Sequence, residues 1–305
     1  MDSQPSSAAR RSLRPRSSRL KQAPWLLALP GLAALFAFHF VPIGVGSYFA
    51  FTSWNGLSHA TWVGTKNFRD IFADQSARAA LWHTLELAGC FVVAVNAIGL
   101  TLALALNRAV KTRHLLRSLF FAPVAVSPLA IAFLWQWIFD TQGALNLVLT
   151  DVGLESWQRA WLGDPRTAIW TILVVMIWQF SGLAMVLYLA GLQGISDDVY
   201  EATLVDGASA WFSLRKVVLP LLAPAVTVSA TVTLIIGLRV FDQVMALTKG
   251  GPVDATETLA TQIYKQTFYL GRFGYGAAFA LLLTALIAGL ALTQLALLRR
   301  NEERL

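Results

Sequence analysis

Apolar residues along this chain come in long runs, not at the alternating spacing of strands or the narrow stripe of a surface helix. Six runs, at about residues 24–54, 81–107, 115–139, 168–192, 220–247 and 274–298, are each bounded by charged or turn residues. Crossing about 30 Å of hydrocarbon takes roughly 18 to 20 residues at ~1.5 Å per residue, so each run predicts a membrane-spanning helix. Pro30 and Pro42 fall in the first run and Pro123 and Pro128 in the third. Each removes a backbone donor, so those helices are expected to kink where neighbours can satisfy the freed carbonyls.

Residues 1–23 carry Arg10, Arg11, Arg14, Arg16, Arg19 and Lys21 among Ser and Pro against one acid, Asp2. Such a segment buries no core and is expected to be a disordered basic tail. A secretory signal would have a short apolar stretch of ~7 to 15 residues before a small-residue cleavage site. The run from Pro24 to Trp54 is far longer and reads as an uncleaved first span.

Composition points the same way, with 56% hydrophobic and 13% charged residues, where soluble domains carry about a quarter charged. The lone Cys90 excludes a disulfide framework and a cysteine-pair zinc site. A net charge of +7 could suggest nucleic acid, but the basic residues are scattered beside the apolar runs. They act instead as a topology signal. Fifteen Lys and Arg lie on the side of residues 1–23, 108–117, 215–216 and 299–305, against eight on the other, so both termini are expected in the cytoplasm.

No G-x-x-x-x-G-K-[ST], H-E-x-x-H or G-x-S-x-G pattern occurs, and no paired aspartates stand inside a run. This removes the usual signatures of a nucleotide-binding chain and of a membrane-embedded hydrolase. No carboxylate stands near the middle of any run, which argues against an ion-driven carrier. Arg239, 19 residues past Pro220, is expected near the outer interface.

The segment 194–219, between the fourth and fifth runs, is the most informative. Ser196 or Asp197 can cap a short helix, Asp206-Gly207 can break it, Ser209 can cap a second, and Pro220 opens the next span. Tyr200, Leu204, Ala208, Trp211 and Phe212 then share an apolar face. The order Glu201-Ala202, Asp206-Gly207-Ala208, Phe212 and Pro220 resembles the cytoplasmic loop of bacterial ATP-binding-cassette importer permeases. Thr203 stands where that pattern has a second Ala, and Ser196 where it often has Pro.

Further motifs are similar to the binding-protein-dependent sugar-permease branch, of the maltose and glycerol-phosphate type. They include Phe51-Thr52-Ser53-Trp54, Val63 to Phe68, Pro123, Trp135 with Trp137, Gly143 with Asn146, Trp161 to Pro165, and Phe241-Asp242 with Leu247 to Pro252 and Thr256 to Thr258. His83-Thr84 departs from a common Asn-Thr pair.

This resemblance implies an all-α membrane protein with six spans, both termini cytoplasmic, and a coupling-helix loop between the fourth and fifth spans. It implies a multi-pass inner-membrane permease domain over residues 24–298 and a short cytoplasmic tail over 299–305. Tyr200, Glu201, Ala202, Leu204, Asp206, Gly207, Ala208 and Phe212 would contact the ATPase. Two ATPase subunits would bind ATP and Mg, so this chain would hold no cofactor or metal and catalyse nothing itself. A second, related permease and an extracytoplasmic solute-binding protein would complete the assembly.

For a neutral sugar, side chains at depth supply amides, hydroxyls and ring faces. Trp178, Gln179 and Phe180 in the fourth run and Thr233, Gly237 and Phe241 in the fifth are therefore the candidate solute path. A non-sugar solute in the same superfamily is the alternative, and an ion-coupled carrier a more distant one.

Overall fold

The computed structural model describes residues 25–107 and 111–302, and among them every regular element is helical. The expected basic tail lies outside the described residues. In chain order the helices are α1 Trp25–Leu35, α2 Val41–Phe49, α3 Lys66–Ala73, α4 Gln75–Leu106, α5 Arg113–Ala125, α6 Pro128–Ile138, α7 Ala144–Asp151, α8 Ala168–Gln193, α9 Asp197–Val205, α10 Ala210–Ser213, α11 Leu219–Leu221, α12 Ala223–Leu238, α13 Asp242–Leu247, α14 Leu259–Tyr264 and α15 Phe273–Glu302. Among the described residues, extended pairing is limited to one isolated bridge between Thr52 and Trp62.

Among the described residues, four helical stretches are long and apolar enough to cross a membrane: Ala28–Phe49, Gln75–Leu106, Ala168–Gln193 and Phe273–Arg299. Two bent pairs, α5 with α6 and Trp211–Leu221 with α12, raise the number to six if each pair is one span. The chain divides into two compact units, up to Gly46 and from Ser47 onward.

Prolines explain much of the irregularity. The π turn Phe36–Phe40 closes with the Val41 amide donating to Phe36 O, immediately before Pro42, and contains His39. A second π turn, Leu214–Val218, closes with the Leu219 amide donating to Leu214 O, immediately before Pro220. In both, the wider turn makes room for a ring that would clash with the carbonyl four residues back.

The run expected as one span over 115–139 is bent by 98° between α5 and α6. Ser127, held extended at ψ 133° before Pro128, cannot continue α5. The carbonyl freed at Val126 accepts from Gln179 Nε2 at 3.3 Å.

The run expected as one span over 220–247 is also divided. It bends by 68° between Trp211–Leu221 and α12, and α12 ends at Leu238. Phe241, at φ −133°, leaves helical geometry before α13. Here Thr258 Oγ1 donates to Val240 O at 3.3 Å and Gln243 Nε2 donates to Gln179 Oε1 at 3.0 Å. Tertiary hydrogen bonds therefore offer the backbone an alternative to a straight helix.

The first run stops being helical at Phe49, because Asn67 Nδ2 donates to the carbonyls of Ala50 and Thr52 at 2.8 and 2.9 Å and clamps them as a loop. The second begins earlier than expected, at Gln75, where Asp74 caps α4 by accepting from the Ser76 amide at 2.9 Å.

The main core is built on α4, α8 and α12, with Phe91, Val95, Ile172, Met176 and Met185 buried. A smaller cluster joins Ala50, Ile71, Ala77, Leu259 and Phe279. α4 and α12 approach closely at Gly237, where a Cβ would stand 3.0 Å from Ala88 Cα. Small residues permit this backbone approach, which supplies the van der Waals contact that holds membrane helices together.

Candidate functional site

The segment singled out by its motif forms two short helices, α9 and α10, at an abrupt turn. Asp206 and Gly207 end α9: Gly207 takes φ +69° and the Ala208 amide donates to Thr203 O at 3.1 Å, as in a Schellman cap. Ser209 then caps α10, its Oγ accepting from the Phe212 amide at 3.3 Å. Ser213 Oγ donates to Thr203 Oγ1 at 3.3 Å and ties the two helices together.

Glu201, Asp206, Gly207 and Phe212 are exposed, and Ala208 is half-buried. Val205 and Trp211 add apolar surface, 87% and 69% exposed. The side chains of Tyr200, Ala202 and Leu204 lie outside the described residues. α10 runs without a loop through the π turn and α11 towards α12.

The candidate path residues fall into two kinds. Gln179 and Thr233 are buried and hydrogen-bonded within the chain, and Gly237 is buried at the crossing with Ala88. Phe180 packs edge-on against Phe91 at 5.9 Å, and Trp178 does so against Trp135 at 5.4 Å. Trp178 still exposes 45% of its surface. Phe241 packs against Tyr264 at 5.6 Å, beside a cavity of about 440 Å³ that Tyr264 lines.

That cavity is bordered by the loop 248–257, which is held by charge. Glu257, only 3% exposed, accepts from Lys265 Nζ at 2.9 Å and from Thr261 Oγ1 at 2.7 Å. Lys265 also reaches Asp254 at 3.0 Å. Burial works against the Lys265 ammonium, yet the hydrogen bonds to Glu257 and Asp254 and the charges of both carboxylates outweigh it. The lysine pKa is therefore raised above its ordinary value. The exposed Val253 takes φ +50°, an outlier for a β-branched residue. Arg239, at the end of α12, is exposed.

Sequence reasoning missed the group that unites the three core helices. Asn96 on α4 donates to Thr233 Oγ1 at 2.9 Å, and its Oδ1 accepts from Tyr188 OH at 2.9 Å and from Ser229 Oγ at 2.7 Å. The signal was present, since an Asn far inside an apolar run is costly unless another helix bonds to it.

The fold is shared with a chain of a transporter of known structure. It matches a chain from the crystal structure of a bacterial ABC transporter involved in the import of the acidic polysaccharide alginate, with a TM-score of 0.80 over 90% of this chain and 94% of that one, at 23% identity. A chain from the crystal structure of a bacterial alginate ABC transporter in complex with an alginate pentasaccharide-bound periplasmic protein matches with a TM-score of 0.80 over 91% of this chain and 94% of that one, at 22% identity.

Residues 95–302 match the binding-protein-dependent transport system inner membrane component family, and the chain belongs to that family. It is 33% identical, over 91% of its length and 94% of the relative's, to the probable starch degradation products transport system permease protein AmyD of Thermoanaerobacterium thermosulfurigenes. It is 30% identical to the multiple sugar-binding transport system permease protein MsmF of Streptococcus mutans, over 91% and 96% of the two chains. It is also 30% identical to the trehalose/maltose transport system permease protein MalF of Thermococcus litoralis, over 89% and 92%.

Proposed function

We propose that this chain is the membrane-spanning subunit of an ATP-driven importer for a sugar or sugar-like solute. It crosses the membrane six times, with each bent helix pair as one span and both termini in the cytoplasm. Two separate ATPase subunits bind ATP and Mg and seat α9 and α10 in their clefts; a second permease completes the pore, and an extracytoplasmic binding protein delivers the solute. The chain itself holds no cofactor. The observation that carries this reading is the exposed turn at Gly207, with apolar Trp211 and Phe212 beside it and an unlooped connection to α12.

ATP-driven closure of the ATPase pair would shift the coupling segment and rock the permeases between inward and outward openings, which requires contacts that differ between the two states. The solute passes Trp178, Gln179, Phe180, Thr233, Gly237 and Phe241. Gln179 and Thr233, buried in this arrangement, reach it only when α12 parts from α4 and α8. The sugar class is supported by the names of the relatives and by amides, hydroxyls and rings along this route.

The test is a crosslink from Glu201→Cys in the complex purified from its host. Recovery of an ATPase subunit joined at position 201, with a second permease in the same preparation, is the expected result. A chain that purifies alone and crosslinks to nothing would overturn the reading.

A further inference from the structure

Six aromatic rings follow one another outside the buried core, in tilted, edge-to-face and stacked contacts. Phe241 neighbours Tyr264 at 5.6 Å, Tyr264 neighbours Phe268 at 5.6 Å, Phe268 neighbours Phe273 at 6.3 Å, and Phe273 neighbours Trp54 at 5.4 Å. Trp54 is in turn stacked on Phe49 at 4.2 Å. The row is not sealed by the chain: Phe268 is 69% exposed and Tyr264 is 43% exposed.

A cavity with charged residues in its wall adjoins the row at Tyr264, and another adjoins it at Trp54. Tyr264 lines the cavity of about 440 Å³ that holds Asp254, Glu257 and Lys265. Trp54 lines a second cavity, of about 450 Å³, with Asn55, Asp70, Asp74, Arg272 and Tyr275 around it. Both volumes fall within the range of small-ligand sites. Each wall combines an aromatic ring with two carboxylates and two cations, Lys249 and Lys265 in the first and Lys66 and Arg272 in the second, so the charges balance and donors and acceptors for hydroxyls are both present.

We propose that the row Trp54, Phe273, Phe268, Tyr264 and Phe241 is a solute track, along which a neutral saccharide moves between the two cavities before it reaches the interior at Phe241. This rests on the sugar-importer reading above. The axial C–H groups of a pyranose pack on the electron-rich face of an aromatic ring, while its equatorial hydroxyls stay free to exchange partners. Rings about 5 to 6 Å apart let a saccharide engage the next face before leaving the last, so no step strips it of all its contacts. An interfacial belt of aromatics, by contrast, needs only bulk and amphipathicity and would have no reason to bridge two charged cavities.

The test uses the whole complex in proteoliposomes with its binding protein, and a panel of radiolabelled maltotriose, trehalose, xylose and arabinose. Phe268→Leu keeps apolar bulk and removes the ring; Phe268→Tyr keeps the ring. The track predicts that Phe268→Leu raises the KM for uptake roughly five-fold, the size of one lost aromatic contact, with Phe268→Tyr near wild type and ATP hydrolysis unchanged in both. Tyr264→Leu should behave alike. Equal KM values in the leucine, tyrosine and wild-type complexes would overturn the track and leave the sugar reading standing. A wild-type complex that takes up none of the panel would overturn both.

Discussion

Asn96 on α4 and Thr233 on α12 are joined by a hydrogen bond of 2.9 Å, and the same asparagine holds Tyr188 of α8 and Ser229 of α12 through its oxygen. One amide therefore fixes three helices at one level of the bundle. Asn96→Leu leaves the Tyr188 and Ser229 hydroxyls without their acceptor, at a cost of about 1–3 kcal/mol. Thr233→Val removes one partner and should cost about 0.6 kcal/mol, the average for such a bond between membrane helices. Thermal unfolding of the detergent-purified complex measures both, and equal losses in the two variants would remove Asn96 from the centre of this arrangement.

At Gly207 nothing among the described residues stands within 4 Å of where a Cβ would be, so the constraint there is the backbone, at φ +69°. An L-residue there costs about 1–2 kcal/mol, less for Asn, which tolerates the left-handed region. Gly207→Val should leave insertion intact and lower solute uptake per ATP hydrolysed, while Gly207→Asn retains most of it. Normal coupling in Gly207→Val would detach the turn from the mechanism.

The raised pKa of Lys265 sets the sign of an alkaline effect. The folded state holds this proton more tightly than the unfolded chain, whose lysines titrate near about 10.4. The stabilisation from Asp254 and Glu257 is thus complete below that pH and is lost as pH rises through the higher folded value. The stability difference between wild type and Lys265→Gln should be constant from neutral pH to about 10 and shrink above it. A difference that is flat across the alkaline range would show that the ion pair contributes nothing.

Helix packing offers a contrast within one fold. A Cβ at Gly182 would lie 2.1 Å from Phe120 O, whereas one at Gly289 would meet nothing within 4 Å. Gly182→Ala must push α5 from α8 and should destabilise by about 1–3 kcal/mol, as overpacked cores do. Gly289→Ala should be neutral or slightly stabilising, because alanine favours the helix. Matched melting temperatures for the two would mean that α5 yields freely.

The legible parts of this protein were those written in local chemistry. Apolar runs located the long helices, Pro123 and Pro128 marked the sharp bend, and Asp206-Gly207 with Ser209 marked the turn between α9 and α10. The end of α12 at Leu238 was not legible, because no proline follows it and Gly237 lies inside its last turn and is packed against Ala88; Thr258 and Gln243, distant in sequence or bonded to another helix, draw residues 239–243 away. The sequence alone marks Gln179 and Thr233 as polar groups at depth, but their partners Gln243 and Asn96 depend on how helices face one another. The Glu257 and Lys265 pair was likewise hidden, since only the folded loop buries one and leaves the other at the rim.

The unlooped passage from α10 to α12 has a mechanical corollary. Thr233 lies about 16 Å along the helix beyond the elbow at Leu222, so a rotation of about 10° there would carry it by about 3 Å, a whole hydrogen-bond length. A lever of that reach cannot swing and keep Thr233 latched to Asn96. Motion entering at Trp211 would therefore have to be spent on unfastening the bundle's interior, and the ease of that release would set how small a push suffices.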